Sequence, residues 1–394
     1  MRILFISDNT IKGFGGGSIE NRKHYDALRE YCINNGHELK VISIDGDLKE
    51  SMNVKIRKNK FIDILVRLKG HSTYLYDTWK QNEVHVCAYR PDILYLGRSR
   101  FGFVAKRIKK VLPECRVITN IDNVEVDYVD GYFSLKKGII NKLYKLLEIL
   151  AVKRDESQAI KYSDLLIYLT QRNVLRVEKI YNHHEDTPII LPICLKEEIE
   201  LKKNQDSRTV VFVGSLDYGA NVLAVKWILE LWKKLYASNQ NIELIIAGRN
   251  PSNELSDVIR KMNNVTLIQN FDSLSDFIPR NSLMLAPIEK GAGMKVKVAE
   301  TLSMGLMIAA SDEALVGYED AELQDKVGGI VRANTEEEYK KSIADFLCKT
   351  DEELNEISRS NKDIYKKFYS YETSRSIVSE VCNTIFCSEK EIKE

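Results

Sequence analysis

No stretch of this sequence approaches the roughly 20 consecutive apolar residues that a membrane span requires, and the apolar run in the opening MRILFIS is too short for a signal peptide. A soluble or peripheral protein is expected. The seven cysteines (Cys32, Cys87, Cys115, Cys194, Cys348, Cys382, Cys387) are odd in number, scattered, and form no C-x-x-C pair. This argues against a zinc site and for reduced thiols in a cytoplasmic protein. An excess of charge of one sign is also missing, since the net charge is only +1, but the balance hides an asymmetry. Residues 209–394 carry 22 Lys/Arg against 29 Asp/Glu, and residues 1–208 carry 36 against 28, so the halves stand at −7 and +8. The first half is expected to face something anionic, either a membrane surface or a polyanionic substrate. Neither a recognition helix nor an aromatic stacking motif accompanies the basic stretches, which sets nucleic acid aside.

What is present is enough for two cores: 394 residues, 44% of them hydrophobic, make two domains the default. The chain is organised around Pro287 to Gly305, PIEKGAGMKVKVAETLSMG. Before it, NSLMLA reads as a strand stopped by proline; after it, Val296, Ala299, Leu302 and Met304 recur near one helical face, and Gly305 stands where helices end. Strand, Gly-Ala-Gly turn and helix follow in that order. Such a turn turns backbone N–H groups and the positive end of the helix dipole to a ligand, and Gly291 and Gly293 allow close approach, so a phosphate site is expected. Lys295 and Lys297 add mobile positive charge where the dipole alone would favour acid. Glu300, about one turn beyond Lys297, is placed to accept from a vicinal diol such as a ribose. An ordinary strand-turn-helix unit with solvated lysines is the alternative for the turn alone.

Ile3 to Ser7 reads as a buried parallel strand, followed by a flexible turn with Gly13, Gly15, Gly16 and Gly17 and a helix from Ile19 to Asn34. This is not a clean G-x-G-x-x-G. Asp45 and Asp47 in VISIDGD fit either the acid of a dinucleotide fold, the D-x-D of metal-dependent glycosyltransferases, or a turn that ends a strand; no hydride-transfer constellation follows. Residues 49 to 80 interleave Lys55, Arg57, Lys58, Lys60, Arg67 and Lys69 with Phe61, Ile62, Ile64, Leu65 and Leu68. Such a segment is either a basic amphipathic surface for an anionic membrane or a solvated helix or loop. In RVITNIDNVEVDY a strand ends near Asn120, placing Asp122 and Glu125 at its C-terminal end, in a crevice or an Asx-turn. Lys136 to Lys161 is helical, and LKEEIELKKNQDSRT reads as an interdomain linker. Alternating strands and helices restart at TVVFVGS, including a helix at SLSDFIP, and the tail from Thr335 to Ile385 is helical, so a parallel sheet is expected.

FVGSLDYGANVLAVKW, GAGMKVKVAETLSMGLMIAAS and SDEALVGYED occur in the order found in the donor domain of GT-B glycosyltransferases, and the second half resembles the retaining family-four type that builds bacterial surface polysaccharides. The resemblance implies an α/β GT-B fold of two Rossmann-like doubly wound domains facing across a cleft. The N-terminal acceptor domain would be residues 1–195, the linker 196–208, the donor domain 209–370, and the last helix, 371–394, would pack back on the N-domain. It also implies that Gly291, Ala292, Gly293 and Met294, with Gly214 and Ser215, hold the donor diphosphate and sugar. Lys297 would neutralise the diphosphate, Glu300 would hold the ribose, Arg249 would be a second cation, and Asn270, Phe271 and Asp272 would read the base. The glycine loop Gly15, Gly16 and Gly17 would face the acceptor, and Glu20, Asp122 and Glu125 are the candidate bases for an inverting reaction. No metal or cofactor is implied, only a UDP- or GDP-linked sugar and a lipid-linked or polysaccharide acceptor.

The departures from the family pattern are specific. Ala292 stands where the first glutamate of the usual Glu-x7-Glu pair belongs, the Arg and Lys expected after the first C-domain strand are missing from GSLDYGAN, and the resemblance implies Asp122 in the place of a family histidine. They keep two other readings open: a non-catalytic GT-B subunit that binds a partner enzyme or glycan, and a nucleotide-sugar epimerase.

Overall fold

The structure is a computed structural model, and it describes residues 1–8, 10–13, 15–43, 51–52, 57, 59–134, 138–201, 208–238 and 242–387. Asp45 and Asp47, with Lys55 and Lys58 of the basic segment, lie outside them. The chain divides into two compact units, Met1–Ile193 with Tyr371–Glu394, and Cys194–Ser370.

Unit 1 runs β1 (Arg2–Ile6), α1 (Gly16–Asn35), β2 (Glu38–Ile42), β3 (Ser51–Met52), α2 (Lys60–Leu68), α3 (Thr73–Tyr89), β4 (Ile93–Leu96), α4 (Gly102–Val111), β5 (Arg116–Ile121), α5 (Glu125–Ser134), α6 (Ile139–Tyr162), β6 (Leu165–Tyr168), α7 (Gln171–Tyr181) and β7 (Ile189–Ile190). Among the described residues its seven strands are parallel, in the order β3-β2-β1-β4-β5-β6-β7. Strand β4 is buried at every position, as expected where helices cover both faces of a parallel sheet. The chain leaves β1 in one direction and later returns beside it as β4, which opens the switch-point crevice between those two strands.

Unit 2 repeats the plan with β8 (Thr209–Val213), α8 (Gly219–Ser238), β9 (Glu243–Gly248), α9 (Asn253–Arg260), β10 (Val265–Gln269), β11 (Ser282–Ala286), α10 (Val296–Met304), β12 (Met307–Ala310), α11 (Glu319–Gln324), β13 (Ile330–Arg332), α12 (Glu336–Cys348) and α13 (Asp351–Phe368). Its sheet is again parallel, ordered β10-β9-β8-β11-β12-β13, with the switch between β8 and β11. α12 and α13 each start on a complete capping box, Thr335 with Glu338 and Thr350 with Glu353. The chain then returns to unit 1 as α14 (Tyr371–Cys387), which packs on α1 through Tyr371 Oη to Glu30 Oε2 (2.7 Å) and Tyr31 Oη to Asn383 Oδ1 (2.7 Å).

The parallel α/β reading holds, while two local expectations are corrected and one helix is added. Gly16 and Gly17 do not belong to a flexible turn; they are the first residues of α1, with Gly15 as its N-cap. The SLSDFIP stretch makes only a single 3-10 turn, Leu274–Asp276, because Ser273 caps it and Pro279 follows within three residues. Past β5 the chain enters a further helix, α5, starting at Glu125 itself.

Candidate functional site

The C-terminal ends of β8 and β11 meet at the unit 2 switch point, and each carries a glycine turn. At β8, Gly214 donates its N–H to Ala247 O at 3.0 Å, and a Cβ on Gly214 would fall 2.8 Å from the amide of Asn221. Neighbouring Gly248 is held more tightly still, since a Cβ there would lie 2.0 Å from Gly214 O. Only glycine permits this approach of β9 to the β8 turn. Asn221, near the start of α8, then ties two elements together: its Nδ2 donates to Ser215 O at 3.0 Å, and its Oδ1 accepts from Lys297 Nζ at 3.0 Å.

Lys297 is therefore not the mobile cation expected. It lies buried in the first turn of α10, with Nζ 4.0 Å from the centroid of the Phe212 ring. Desolvation pushes its pKa down to about 7, against the attraction of Glu300. Glu300 moves the other way: loss of solvation raises its carboxyl to about 7, although Lys297 pulls it down. Lys295, the second expected cation, is also tied down, donating to Gly293 O at 2.7 Å and pairing with Glu313 at 2.9 Å. The turn ahead of α10 depends on Gly293, whose φ of +64° is left-handed, while Met294 is buried and Gly291 is exposed. Tyr318, fully buried, pins the helix start by donating to Lys295 O at 3.0 Å and accepting from Ala299 N–H at 3.2 Å. At the ends of β9 and β10, Arg249 Nη2 donates to Phe271 O at 3.3 Å, and Asn270 adopts a left-handed φ of +53°. Thus Gly214, Ser215 and Lys297 are joined through Asn221, and Arg249 is joined to the Asn270–Asp272 segment. Sequence reasoning missed Asn221 and Tyr318; the only signal available was the position of each in a matched motif.

In unit 1, Arg22 of α1 reaches back to the glycine loop, donating from Nε to Ile11 O at 2.8 Å and from Nη2 to Gly13 O. Glu20 sits inside a buried network, with Lys23 Nζ at 2.8 Å, His24 Nε2 at 3.2 Å and Asn120 Nδ2 at 3.2 Å. Burial alone would raise its pKa, but Lys23 and His24 outweigh it and hold the carboxyl down at about 2. Asp122 behaves oppositely. It is buried, accepts from Arg98 Nε at 3.1 Å, and desolvation raises its pKa to about 7 against the pull of Arg98. Arg98 also meets Asp8 at 3.1 Å and Glu125 at 3.7 Å, and Glu125 receives Arg100 Nε at 2.6 Å. Three carboxylates thus surround one guanidinium, two of them, Asp8 and Asp122, just past the ends of β1 and β5. Beside this cluster lies a cavity of about 500 Å³ lined by Arg67, Arg100, Tyr128, Tyr132, Phe133 and Tyr144, within the range of small-molecule sites. Among the described residues, no group of three or more His, Cys, Asp or Glu is placed to hold a metal ion.

Residues 207–349 match the family model described as "Glycosyl transferases group 1". The chain is 24% identical over 246 residues to the uncharacterized glycosyltransferase MJ1607 of Methanocaldococcus jannaschii, an overlap of 57% of this chain and 58% of that protein. Among solved structures, WaaG, a glycosyltransferase involved in lipopolysaccharide biosynthesis, superimposes with a TM-score of 0.67 at 14% identity, over 95% of this chain and 98% of WaaG. Anabaena HepE in complex with UDP-glucose superimposes with a TM-score of 0.64 at 11% identity, over 98% of this chain and 100% of HepE. Two parallel Rossmann-like units, with the family match falling across the second, give this chain a GT-B fold related to that of bacterial glycosyltransferases.

Proposed function

We propose that the chain transfers a sugar from a UDP- or GDP-linked donor to a lipid-linked or polysaccharide acceptor in the assembly of a bacterial surface glycan, in the manner of the retaining family-four enzymes. One observation carries this reading: at the unit 2 switch point Asn221 holds a buried lysine with a lowered pKa, and Tyr318 pins the start of the helix that follows a glycine turn with a left-handed residue and carries Glu300 about one turn beyond Lys297. A buried ammonium depressed to about 7 regains its charge when a dianion arrives, so diphosphate binding and Lys297 protonation support each other. Glu300 would take the ribose hydroxyls, the N–H groups of Gly291 to Met294 the diphosphate, and the backbone of Asn270 to Asp272 the base.

The reaction breaks the bond from the anomeric carbon to the donor phosphate oxygen and forms one to the acceptor oxygen. Lys297 and the N-terminus of α10 stabilise the leaving diphosphate electrostatically, with Arg249 as a further cation, so no metal is required. Under retention the leaving phosphate takes the acceptor proton on the same face. Unit 1 takes the acceptor: the aromatic cavity beside Arg100 offers ring faces for a sugar and paired Arg and Glu groups for its hydroxyls. HepE, solved with UDP-glucose, and WaaG, involved in lipopolysaccharide biosynthesis, make a UDP-sugar and a surface glycan the first to test. The protein would work on the cytoplasmic side of the membrane.

The test is a thermal-shift screen of the purified chain against UDP, GDP, CMP and their sugars, with and without chelator, followed by donor hydrolysis and transfer assays. A chelator-insensitive shift with one nucleotide, lost in Glu300→Gln, is the expected result. Binding with neither hydrolysis nor transfer would favour the non-catalytic subunit suggested by Ala292, and alteration of the free donor without acceptor would favour an epimerase.

A further inference from the structure

On α2 the apolar residues face outwards. Phe61, Ile64, Leu65 and Leu68 are 81%, 57%, 59% and 64% exposed and recur at i, i+3, i+4 and i+7, so they form one stripe. The inner face of the helix holds Val66, which is buried, and Arg67. Such a stripe normally packs against a core, and here it points away from one. The first half of α6, the helix on which α2 packs, carries a second stripe at i, i+4, i+7 and i+11: Ile139 is 86% exposed, Leu143 61%, Leu146 54% and Leu150 59%. Arg67 joins the two helices through its ion pair with Glu148 and its approach to within 5.1 Å of the Tyr144 ring centroid. Exposed apolar side chains concentrated on two packed helices are more than the scatter usual on a soluble surface.

The charges beside the stripes have a single predominant sign. Between Lys60 and Lys69 the sequence places Lys60, Arg67 and Lys69 against Asp63, and between Ile139 and Arg154 it places Lys142, Lys145, Lys153 and Arg154 against Glu148. Lys69, Lys142, Lys153 and Arg154 are exposed. An apolar stripe with basic flanks matches the boundary of an anionic bilayer, where acyl chains take the hydrophobes and headgroup phosphates take the lysines. A two-fold dimer through this face would set like charges against each other, which disfavours a second copy as the occupant. No helix among the described residues is long and apolar enough to cross a membrane, so the stripes would lie in the interface rather than span it.

We propose that the α2–α6 face of unit 1 docks on an anionic lipid surface. The inference does not rest on the transferase reading, because its readout needs neither donor nor acceptor. The purified full chain is floated with vesicles of phosphatidylcholine containing phosphatidylglycerol, and with pure phosphatidylcholine vesicles as the comparison. The expected result is salt-sensitive binding to the anionic vesicles. Phe61→Glu with Leu143→Glu should lower that affinity by about tenfold or more, with the melting temperature unchanged, because these side chains already face water. Lys142→Glu with Lys153→Glu should weaken binding and reduce its salt dependence. Light scattering of the same variants tests the rival occupant. A dimer dispersed by the Phe61 and Leu143 pair would assign the face to a second copy and overturn the proposal, as would wild-type protein that floats with neither vesicle, or variants that float as well as wild type.

Discussion

The Lys297 ammonium is held 3.0 Å from the Asn221 side-chain oxygen, so the cation proposed to stabilise the donor diphosphate is positioned by a neutral amide rather than by a carboxylate. A carboxylate partner would have kept it charged; an amide and the Phe212 ring leave burial to lower its pKa to about 7. In the unfolded chain the group titrates near its ordinary value of about 10.4. Between pH 7 and that value the unfolded state binds the extra proton, so this group makes the protein more stable as pH rises. Lys297→Met removes the effect. The stability advantage of the variant over wild type should be largest near pH 7 and shrink toward pH 10, as read from chemical denaturation at several pH values. A difference that stays constant with pH would mean that Lys297 is not depressed.

The same proton links to the donor. UDP or GDP should bind with an affinity that falls by up to about tenfold per pH unit above pH 7, as the free lysine loses the charge that the diphosphate requires. Asn221→Asp should raise the lysine pKa and flatten that dependence, although its carboxylate can no longer donate to Ser215 O. Asn221→Ala, by contrast, should cost about 1–3 kcal/mol and weaken the nucleotide, because Ser215 O and Lys297 lose their partner. Calorimetric titration at several pH values separates the two variants.

Tyr318→Phe should destabilise unit 2 by about 1–3 kcal/mol, since it strands Ala299 N–H at the buried start of α10 and removes one donor from Lys295 O, which keeps the Val298 N–H. Nucleotide affinity should fall with it, because the turn ahead of the helix loses its anchor. A variant with wild-type stability would show that the hydroxyl is dispensable.

These relationships mark how far the sequence could be read. Buried parallel strands were legible as apolar runs, and α10 was legible from its period and from Gly305, which closes it with a left-handed φ of +69°. Whether a lysine in that helix is solvated was not legible. Lys295 and Lys297 are two residues apart on one turn, yet one pairs with Glu313 and the other turns inward over Phe212, a difference set by neighbours distant in sequence. Glu20 and Asp122 show the same limit. Both are buried carboxylates, and one is held at about 2 and the other raised to about 7 only because Lys23 and His24 surround the first, whereas Asp122 shares Arg98 with Asp8 and Glu125. The basic stretch from residue 49 to 80 was legible as amphipathic, but which side of α2 faces water was not.

The glycines allow stability and substrate contact to be told apart. Gly248→Ala would place a Cβ 2.0 Å from Gly214 O and 2.5 Å from Leu216 Cγ, and should cost about 1–3 kcal/mol or more as β9 and the β8 turn are forced apart. At Gly15 an added Cβ meets nothing within 4 Å and φ is −77°, so Gly15→Ala should cost only what a poorer N-cap costs, about 1 kcal/mol. If the glycine loop faces the acceptor, the same substitution should raise the KM for acceptor without changing the nucleotide affinity.

Asp122 decides between the two stereochemical courses. Its carboxyl, raised to about 7, holds a proton in the folded state that the unfolded chain releases near pH 4, so its contribution to stability falls as pH rises from 4 to 7. Asp122→Asn should remove that fall. Its effect on turnover carries the mechanism: if the leaving phosphate takes the acceptor proton, the variant keeps turnover within about tenfold and the product keeps the donor anomeric configuration by NMR. If Asp122 is instead the base, transfer rises with pH through about 7 in the wild type, drops by about a hundredfold or more in Asp122→Asn, and gives the inverted anomer. Glu20→Gln is the matching control, because a carboxyl held at about 2 among Lys23, His24 and Asn120 is a poor base near neutrality. Its substitution should lower stability, not shift the pH–rate profile.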